Sequence, residues 1–114
     1  MNFQTIESKA RRILNDTAEP FRWESSELRD HLQMGVYALH AICPTTRYVG
    51  GELVDFVAVP DAEAAEQEFP IDRRYEEALV YFVVHKCYLD DDVDESNQAP
   101  AESYLGKFNA KAQM

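Results

Sequence analysis

The sequence predicts an all-α or mostly α protein, a small bundle of four to five helices with an extended arm or β-hairpin between the second and third main helices. The chain has 114 residues, which is enough for one hydrophobic core and too short for two. Apolar residues make up 46% and charged residues 28%, as in a globular domain. Apolar residues also recur at steps of three and four, the spacing of one helix face. We therefore predict one domain over residues 1–114, with an arm or loop at 46–69 and a flexible carboxy-terminal tail at 109–114.

The first predicted helix follows Thr5, whose hydroxyl can accept a free backbone amide at the helix start. Its apolar face is formed by Ile6, Ala10, Ile13 and Leu14. The helix is expected to end near Asp16. Pro20 then marks a connection, after which Trp23 returns to the core.

The second predicted helix begins at Ser25 or Ser26, either of which can cap it. Its apolar stripe contains Leu28, Leu32, Gly35, Val36, Leu39 and Cys43. Pro44 ends the helix. A glycine inside a helix costs about 1 kcal/mol relative to alanine, so Gly35 predicts that a neighbouring element packs closely there.

The arm is predicted at residues 47–59, where Gly50 and Gly51 separate Tyr48 and Val49 from an alternating, strand-like segment. The apolar residues of that segment are Leu53, Val54, Phe56, Val57 and Val59. The acidic residues 60–70 then form a loop or a short exposed turn of helix. The arm is hard to bury within so small a bundle, so core burial and an interface are equally open for Tyr48 and Phe56. It is the first candidate binding surface, with Tyr48, Val49, Leu53, Phe56 and Val57 as its candidate contacts.

The third predicted helix, at residues 71–89, is expected to be the central one. Asp72 can cap it, and no glycine or proline interrupts it. Apolar residues cover most of its circumference, which indicates burial on several sides. A buried strand is the alternative for the segment 78–84, but the length of the uninterrupted stretch favours a helix.

The last predicted helix follows an acidic connection at residues 90–95. Pro100 suits its first turn. Its apolar face is formed by Ala101, Tyr104, Leu105 and Phe108. The polar residues 109–114 are expected to order only on binding.

Charge is distributed unevenly along the chain. The net charge is −10, and residues 51–105 hold fifteen acidic and three basic residues. Such a surface repels nucleic-acid phosphates and anionic lipid, so we expect no sequence-specific nucleic-acid binding and no membrane association. The longest apolar run, residues 78–84, is far shorter than the roughly 20 residues that span a membrane. Cys43 and Cys87 lie in apolar patterns and are interpreted as reduced, and the amino terminus lacks the pattern of a signal peptide, so cytosolic synthesis is the default.

The residues that carry chemistry do not form a recognisable catalytic or metal site. His40 and Cys43 share a helix face, but His85 and Cys87 lie two residues apart, about 200° around a helix, and cannot converge on one zinc ion. The acidic run from Asp90 matches the start of a calcium loop but has neither the glycine nor the glutamate that such a loop needs. Neither cysteine is activated, and no phosphate-binding loop is present. We therefore assign no catalytic, metal-binding or cofactor-binding residue and predict that the protein is not an enzyme.

Two blocks of the sequence resemble the head-tail connector (adaptor, or head completion) proteins of tailed bacteriophages. The first block contains the run 11–16, Arg22-Trp23, Glu27-Leu28, Gly35, Leu39 and Pro44. The second contains Phe69-Pro70-Ile71, Ala78-Leu79, Tyr81, His85-Lys86, Leu89, Asn97, Ala101, Tyr104 and Phe108. The resemblance covers almost the whole chain.

The resemblance implies a virion structural protein at the head-tail junction, made in the cytoplasm of the host bacterium. Such adaptors assemble as homo-oligomeric rings, usually dodecamers, on the portal protein, and they link the capsid to the tail or to a further connector protein. In this family the carboxy-terminal segment commonly contacts the portal, which here implies a role for Phe108, Lys111 and Met114. The arm would then contact neighbouring copies or the tail.

An alternative function follows from the charge alone. An acidic protein of this size can mimic DNA and inhibit a nucleic-acid enzyme by occupying its basic site. This alternative predicts a monomer or dimer whose binding depends strongly on salt.

Overall fold

The computed structural model describes residues 1–90 and 98–113, and it confirms a small, mostly α-helical bundle with a hairpin between the second and third helices. The described helices are α1 (Phe3–Leu14), α2 (Ser25–Ile42), α3 (Glu76–Asp90) and α4 (Gln98–Ala112), and the hairpin strands are β1 (Tyr48–Val49) and β2 (Glu52–Leu53). Short 3-10 turns lie at Pro44–Arg47, Ala62–Ala64 and Arg73–Tyr75. Most of the predicted acidic connection, from residue 91 onward, lies outside the described residues. None of the described helices is long and apolar enough to cross a membrane.

Helix α1 starts earlier than predicted. The side chain of Asn2, rather than Thr5, caps it by accepting a hydrogen bond from the backbone N–H of Thr5 at 3.0 Å. Asn15 ends it in the left-handed conformation with φ 58°, which asparagine tolerates better than most residues. Ile13 was predicted on the apolar face but is 37% exposed, because it lines an open cleft between α1 and α3.

The connection between α1 and α2 is held by a buried carboxylate. Asp16 accepts hydrogen bonds from the backbone N–H groups of Arg22 at 2.9 Å and Trp23 at 3.3 Å. Its Oδ2 also accepts from Arg11 Nη1 at 2.7 Å, and both side chains are almost fully buried. Arg11 bonds Glu7 as well, and Glu7 accepts a hydrogen bond from the Ser25 hydroxyl. Neither predicted serine caps α2, since Glu24 occupies the cap position without a side-chain hydrogen bond.

Helix α3 is the centre of the bundle, as predicted, and α1, α2 and α4 all pack against it. Asp72 caps the 3-10 turn that leads into it, by accepting from Arg74 N at 2.9 Å. A β-carbon added at Gly35 of α2 would lie 2.9 Å from Phe82 Cδ1. The close helix approach predicted from Gly35 is therefore confirmed.

Helix α4 extends beyond its predicted end. It continues to Ala112, which is 1% exposed, and the Cys43 thiol donates to the Ala112 carbonyl at 3.0 Å. Residues 109–112, predicted as a flexible tail, are thus the last helical turn, and they are ordered because Phe108 and Ala112 lie one turn apart on the same buried face. Met114 lies outside the described residues.

Candidate protein-binding surface

The arm after the hairpin is fixed to α2 by side chains that bond its backbone. Gln33 donates to the carbonyl of Val57 at 3.0 Å and accepts from the N–H of Val59 at 2.8 Å. Arg29 donates to the carbonyls of Val59 and Pro60. These contacts satisfy the backbone groups that a strand partner would otherwise satisfy. Val57 and Val59 are 3% and 2% exposed, so this part of the arm belongs to the core.

His40 anchors the same segment in one defined tautomer. Its Nε2 accepts from the Val57 N–H at 3.0 Å, so the neutral ring carries its proton on Nδ1 and donates it to Thr46 Oγ1 at 2.7 Å. The Thr46 hydroxyl in turn donates to the Cys43 carbonyl at 2.7 Å. Burial lowers the pKa of His40 below its ordinary value of 6.5, and the positive charge of Arg47 lowers it further. The contact with Val57 requires this neutral ring, because a protonated Nε2 cannot accept.

Acidification is therefore expected to destabilise the protein through His40. The unfolded chain protonates this imidazole near pH 6.5, whereas the folded protein keeps it neutral to lower pH. Its stabilisation is complete above about pH 6.5 and is lost as the pH falls through the lower folded pKa. Urea denaturation between about pH 7.5 and about pH 5, above the range in which most carboxylates titrate, measures this loss.

The variant His40→Gln separates this effect from other titrations. It should be less stable than the wild type near neutral pH and should lose less stability on acidification. Burial also lowers the pKa of His31, so its titration adds a further loss of stability on acidification. If His40→Gln kept the full pH dependence, the role given to His40 would be wrong.

The hairpin projects an apolar pair away from the bundle. Tyr48 pairs with Leu53 in the antiparallel register, so both side chains lie on one face of the hairpin. They are 59% and 56% exposed. Gly50 and Gly51 form the turn with φ of 59° and 84°, values that favour glycine. Apart from the glycines and their chain neighbours, no atom of the described residues lies within 4 Å of a β-carbon added at either glycine, so the turn stands clear of the part of the protein that the structure describes.

A second group of exposed apolar side chains lies where the arm crosses α2. The ring of Phe56 contacts that of Tyr37 edge to face, with centroids 5.3 Å apart. Phe56 is 45%, Tyr37 47% and Met34 44% exposed. Met34 and Tyr37 are three residues apart on α2 and share a face. We call Met34, Tyr37 and Phe56 the α2–arm surface.

The structure separates the predicted binding residues into three groups. Tyr48, Leu53 and Phe56 are exposed, and Val49 is half-buried against the core. Val57 and Phe108 are core residues at 3% and 1% exposure, so neither side chain is available as a surface contact. Lys111 is 40% exposed, with its Nζ 3.4 Å from Glu77 Oε2. Met34 and Tyr37 were not among the predicted contacts, although each is a large apolar residue off the buried stripe of α2.

The two cysteine thiols take part in the packing and hydrogen bonding of the fold. Burial, reinforced by the negative charge of Asp90, raises the pKa of Cys87 to about 12, which disfavours the reactive thiolate. The thiol of Cys43 donates a hydrogen bond to the carbonyl of Ala112. Within residues 1–90 and 98–113, no group of three or more histidine, cysteine or acidic side chains is arranged to hold a metal ion.

No protein-family model, curated protein or solved structure matches this chain. A function has therefore to be argued from the chain's own surfaces.

Proposed function

We propose that this protein is a structural adaptor of the tailed-bacteriophage virion, which binds the portal protein and a tail or further connector protein and assembles as a ring of its own copies. The observation that carries the proposal is the α2–arm surface, an exposed cluster of one methionine and two aromatic residues on a fixed backbone. Aromatic residues and methionine are enriched at protein interfaces, and they often supply most of the binding energy.

The rigidity of this surface supports a role in assembly. Phe56 directly precedes Val57, whose backbone is bonded at both its N–H and its carbonyl by side chains of α2. Tyr37 lies on α2 itself. Both rings are therefore held in place before a partner arrives, which reduces the entropy lost on binding.

The ring and the portal contact come from the resemblance of the sequence to head-tail connectors. The exposed hairpin pair, Tyr48 and Leu53, lies on a projection that suits a contact with a neighbouring copy. An interface between two different surfaces of identical chains closes into a ring when the rotation between copies allows it.

The double variant Tyr37→Ser/Phe56→Ser tests the α2–arm surface. We expect its affinity for the portal protein of the same phage, measured by biolayer interferometry, to fall at least about tenfold, because aromatic anchors commonly contribute about 2 kcal/mol or more each. Its thermal stability should change little, since both side chains are about half exposed.

The matched control is Phe21→Ser/Leu89→Ser, which removes two apolar side chains of similar exposure, 41% and 49%, elsewhere on the surface. It should bind the portal as the wild type does. An equal loss in both double variants would mean that general surface hydrophobicity, and not this surface, drives the binding.

A second candidate function rests on the acidic loop. Asp61, Glu63, Glu66 and Glu68 are all exposed, which suits an inhibitor that occupies a basic site on a nucleic-acid enzyme. Its binding would weaken steeply with salt, because it would depend on exposed charges. Binding through the α2–arm surface would depend much less on salt.

A further inference from the structure

A cleft of about 490 Å³ lies between α1 and the start of α3, on elements that share no residue with the α2–arm surface. Four basic side chains line it: Lys9, Arg12, Arg73 and Arg74. The chain has eleven lysine and arginine residues and twenty-one acidic residues. More than a third of its bases thus line this one cleft, and the acids that line it among the described residues are Glu76 and Glu77.

Some of these charges are already engaged within the protein. Lys9 forms an ion pair with Glu76. Arg74 donates to the Tyr75 hydroxyl at 2.7 Å and lies over that ring, 4.7 Å from its centroid. Glu77 accepts from the Tyr81 hydroxyl at 2.7 Å and lies 3.4 Å from Lys111 Nζ. These contacts neutralise both acids of the cleft.

The two remaining guanidinium groups are not engaged. Arg12 and Arg73 are exposed, and neither side chain has a hydrogen-bond or ion-pair partner among the residues that the structure describes. Each presents a planar set of donors that matches a carboxylate with two parallel hydrogen bonds. Together with Arg74, whose contacts are to a neutral hydroxyl and a ring, the cleft retains three positive charges without an acidic partner among the described residues, on a protein whose net charge is −10.

The walls between these charges are apolar. Ile13, which is 37% exposed, lies one helical turn from Lys9 and next to Arg12, whereas Val80 lines the cleft from α3 and is only 3% exposed. An apolar wall beside a guanidinium suits a side chain with an aliphatic stem and an anionic end. Glutamate has this structure.

We propose that the α1–α3 cleft binds an acidic segment of a partner polypeptide, with Arg12 and Arg73 each holding a carboxylate and the exposed Ile13 contacting an aliphatic stem. This gives the protein a second binding site, beyond the one in the proposed function. A protein partner fits better than nucleic acid, because a nucleic-acid backbone needs a continuous basic track. Here four bases lie together in one cleft on a protein of net charge −10, whose acidic surface would repel the rest of a phosphate backbone.

A labelled oligoglutamate peptide tests the proposal by fluorescence anisotropy with the full chain, and an oligoglutamine peptide of the same length is the neutral control. Saturable binding of oligoglutamate alone is expected, weakening as salt is added. Arg12→Ala/Arg73→Ala should bind at least about tenfold more weakly, since charge-assisted bidentate pairs are among the stronger hydrogen bonds. It should unfold at the temperature of the wild type, because both side chains are exposed and have no partner among the described residues.

Two further variants separate the cleft from net charge. Lys86→Ala/Lys107→Ala removes two positive charges that do not line the cleft, and it should bind nearly as the wild type does. Glu77→Gln removes a negative charge from the cleft and should bind more tightly. Equal weakening in both double variants, or no saturable binding by the wild type, would overturn the proposal. Tighter binding of an oligothymidylate than of oligoglutamate would also overturn it, in favour of a nucleic-acid site.

Discussion

Replacing Phe108 with alanine is expected to lower the free energy of unfolding by about 3–5 kcal/mol, the usual cost of truncating a buried phenylalanine. Phe108 is 1% exposed, and its ring meets that of Phe82 edge to face with centroids 5.0 Å apart. It anchors α4 to the central helix α3, so its loss also removes an aromatic pair. Chemical denaturation followed by circular dichroism measures the change.

The matched controls for Phe108 are a conservative and a surface change on the same helix. Phe108→Leu keeps most of the apolar volume and should cost much less than Phe108→Ala. Lys107→Ala removes an exposed neighbour and should change stability by no more than about 0.5 kcal/mol. A loss near 1 kcal/mol for Phe108→Ala would mean that α4 is not held by this side chain.

Replacing Asp16 with alanine is expected to cost about 3–5 kcal/mol, because it leaves the buried guanidinium of Arg11 with one carboxylate fewer. The backbone N–H groups of Arg22 and Trp23 also lose their acceptor. Unpaired buried donors are costly to leave. Equilibrium urea denaturation near neutral pH measures the effect.

Two comparison variants, Asp16→Asn and Asp30→Ala, test what the charge and the burial of Asp16 contribute to stability. Asp16→Asn retains one oxygen, which can accept from only one of the two backbone N–H groups because Arg22 bonds Oδ1 and Trp23 bonds Oδ2. It also loses the charge, but it should still cost less than Asp16→Ala. Asp30→Ala removes a carboxylate that is 70% exposed and paired with Arg29, and it should cost no more than about 1 kcal/mol. Similar values for Asp16→Ala and Asp30→Ala would contradict the account of the connection between α1 and α2.

The helical bundle could be predicted because its signals are local. A long stretch without glycine or proline, apolar on most sides, defined α3 as the central helix, and Gly35 indicated the close approach of another element. The turn at Gly50 and Gly51 was predictable because both residues adopt a positive φ. Helix ends were harder to predict, because neighbouring polar residues compete for the same cap.

The position of the arm depends on contacts between residues distant in sequence. Alternation along a strand places Phe56 and Val57 on opposite sides, so only one of them could face solvent, but the sequence alone does not show which. In the structure Val57 is buried and Phe56 is exposed. The side chains of Gln33 and His40, two turns apart on α2, hold the arm in this orientation by bonding the backbone at Val57 and Val59. The sequence signal for this arrangement was the pair of polar residues Gln33 and His40, two turns apart beside the apolar stripe of α2.

The contact of Tyr37 with Phe56 and the basic cleft between α1 and α3 also depend on residues distant in sequence. Tyr37 becomes part of a surface only because the arm brings Phe56 to it. Arg12 and Arg73 are far apart in sequence and meet because α1 packs beside the start of α3. The helical structure of residues 109–112 could have been predicted locally, because the apolar spacing of the helix continues from Phe108 to Ala112.

Native mass spectrometry of the purified chain mixed with a bacteriophage portal ring tests whether the chain acts as a head-tail adaptor. The adaptor account predicts a complex whose mass equals that of the portal ring plus several copies of this chain, and the complex should persist at moderate salt. A monomer before mixing is compatible with this result, because the portal can drive assembly by mass action. A portal ring that carries no copies of the chain would contradict the account.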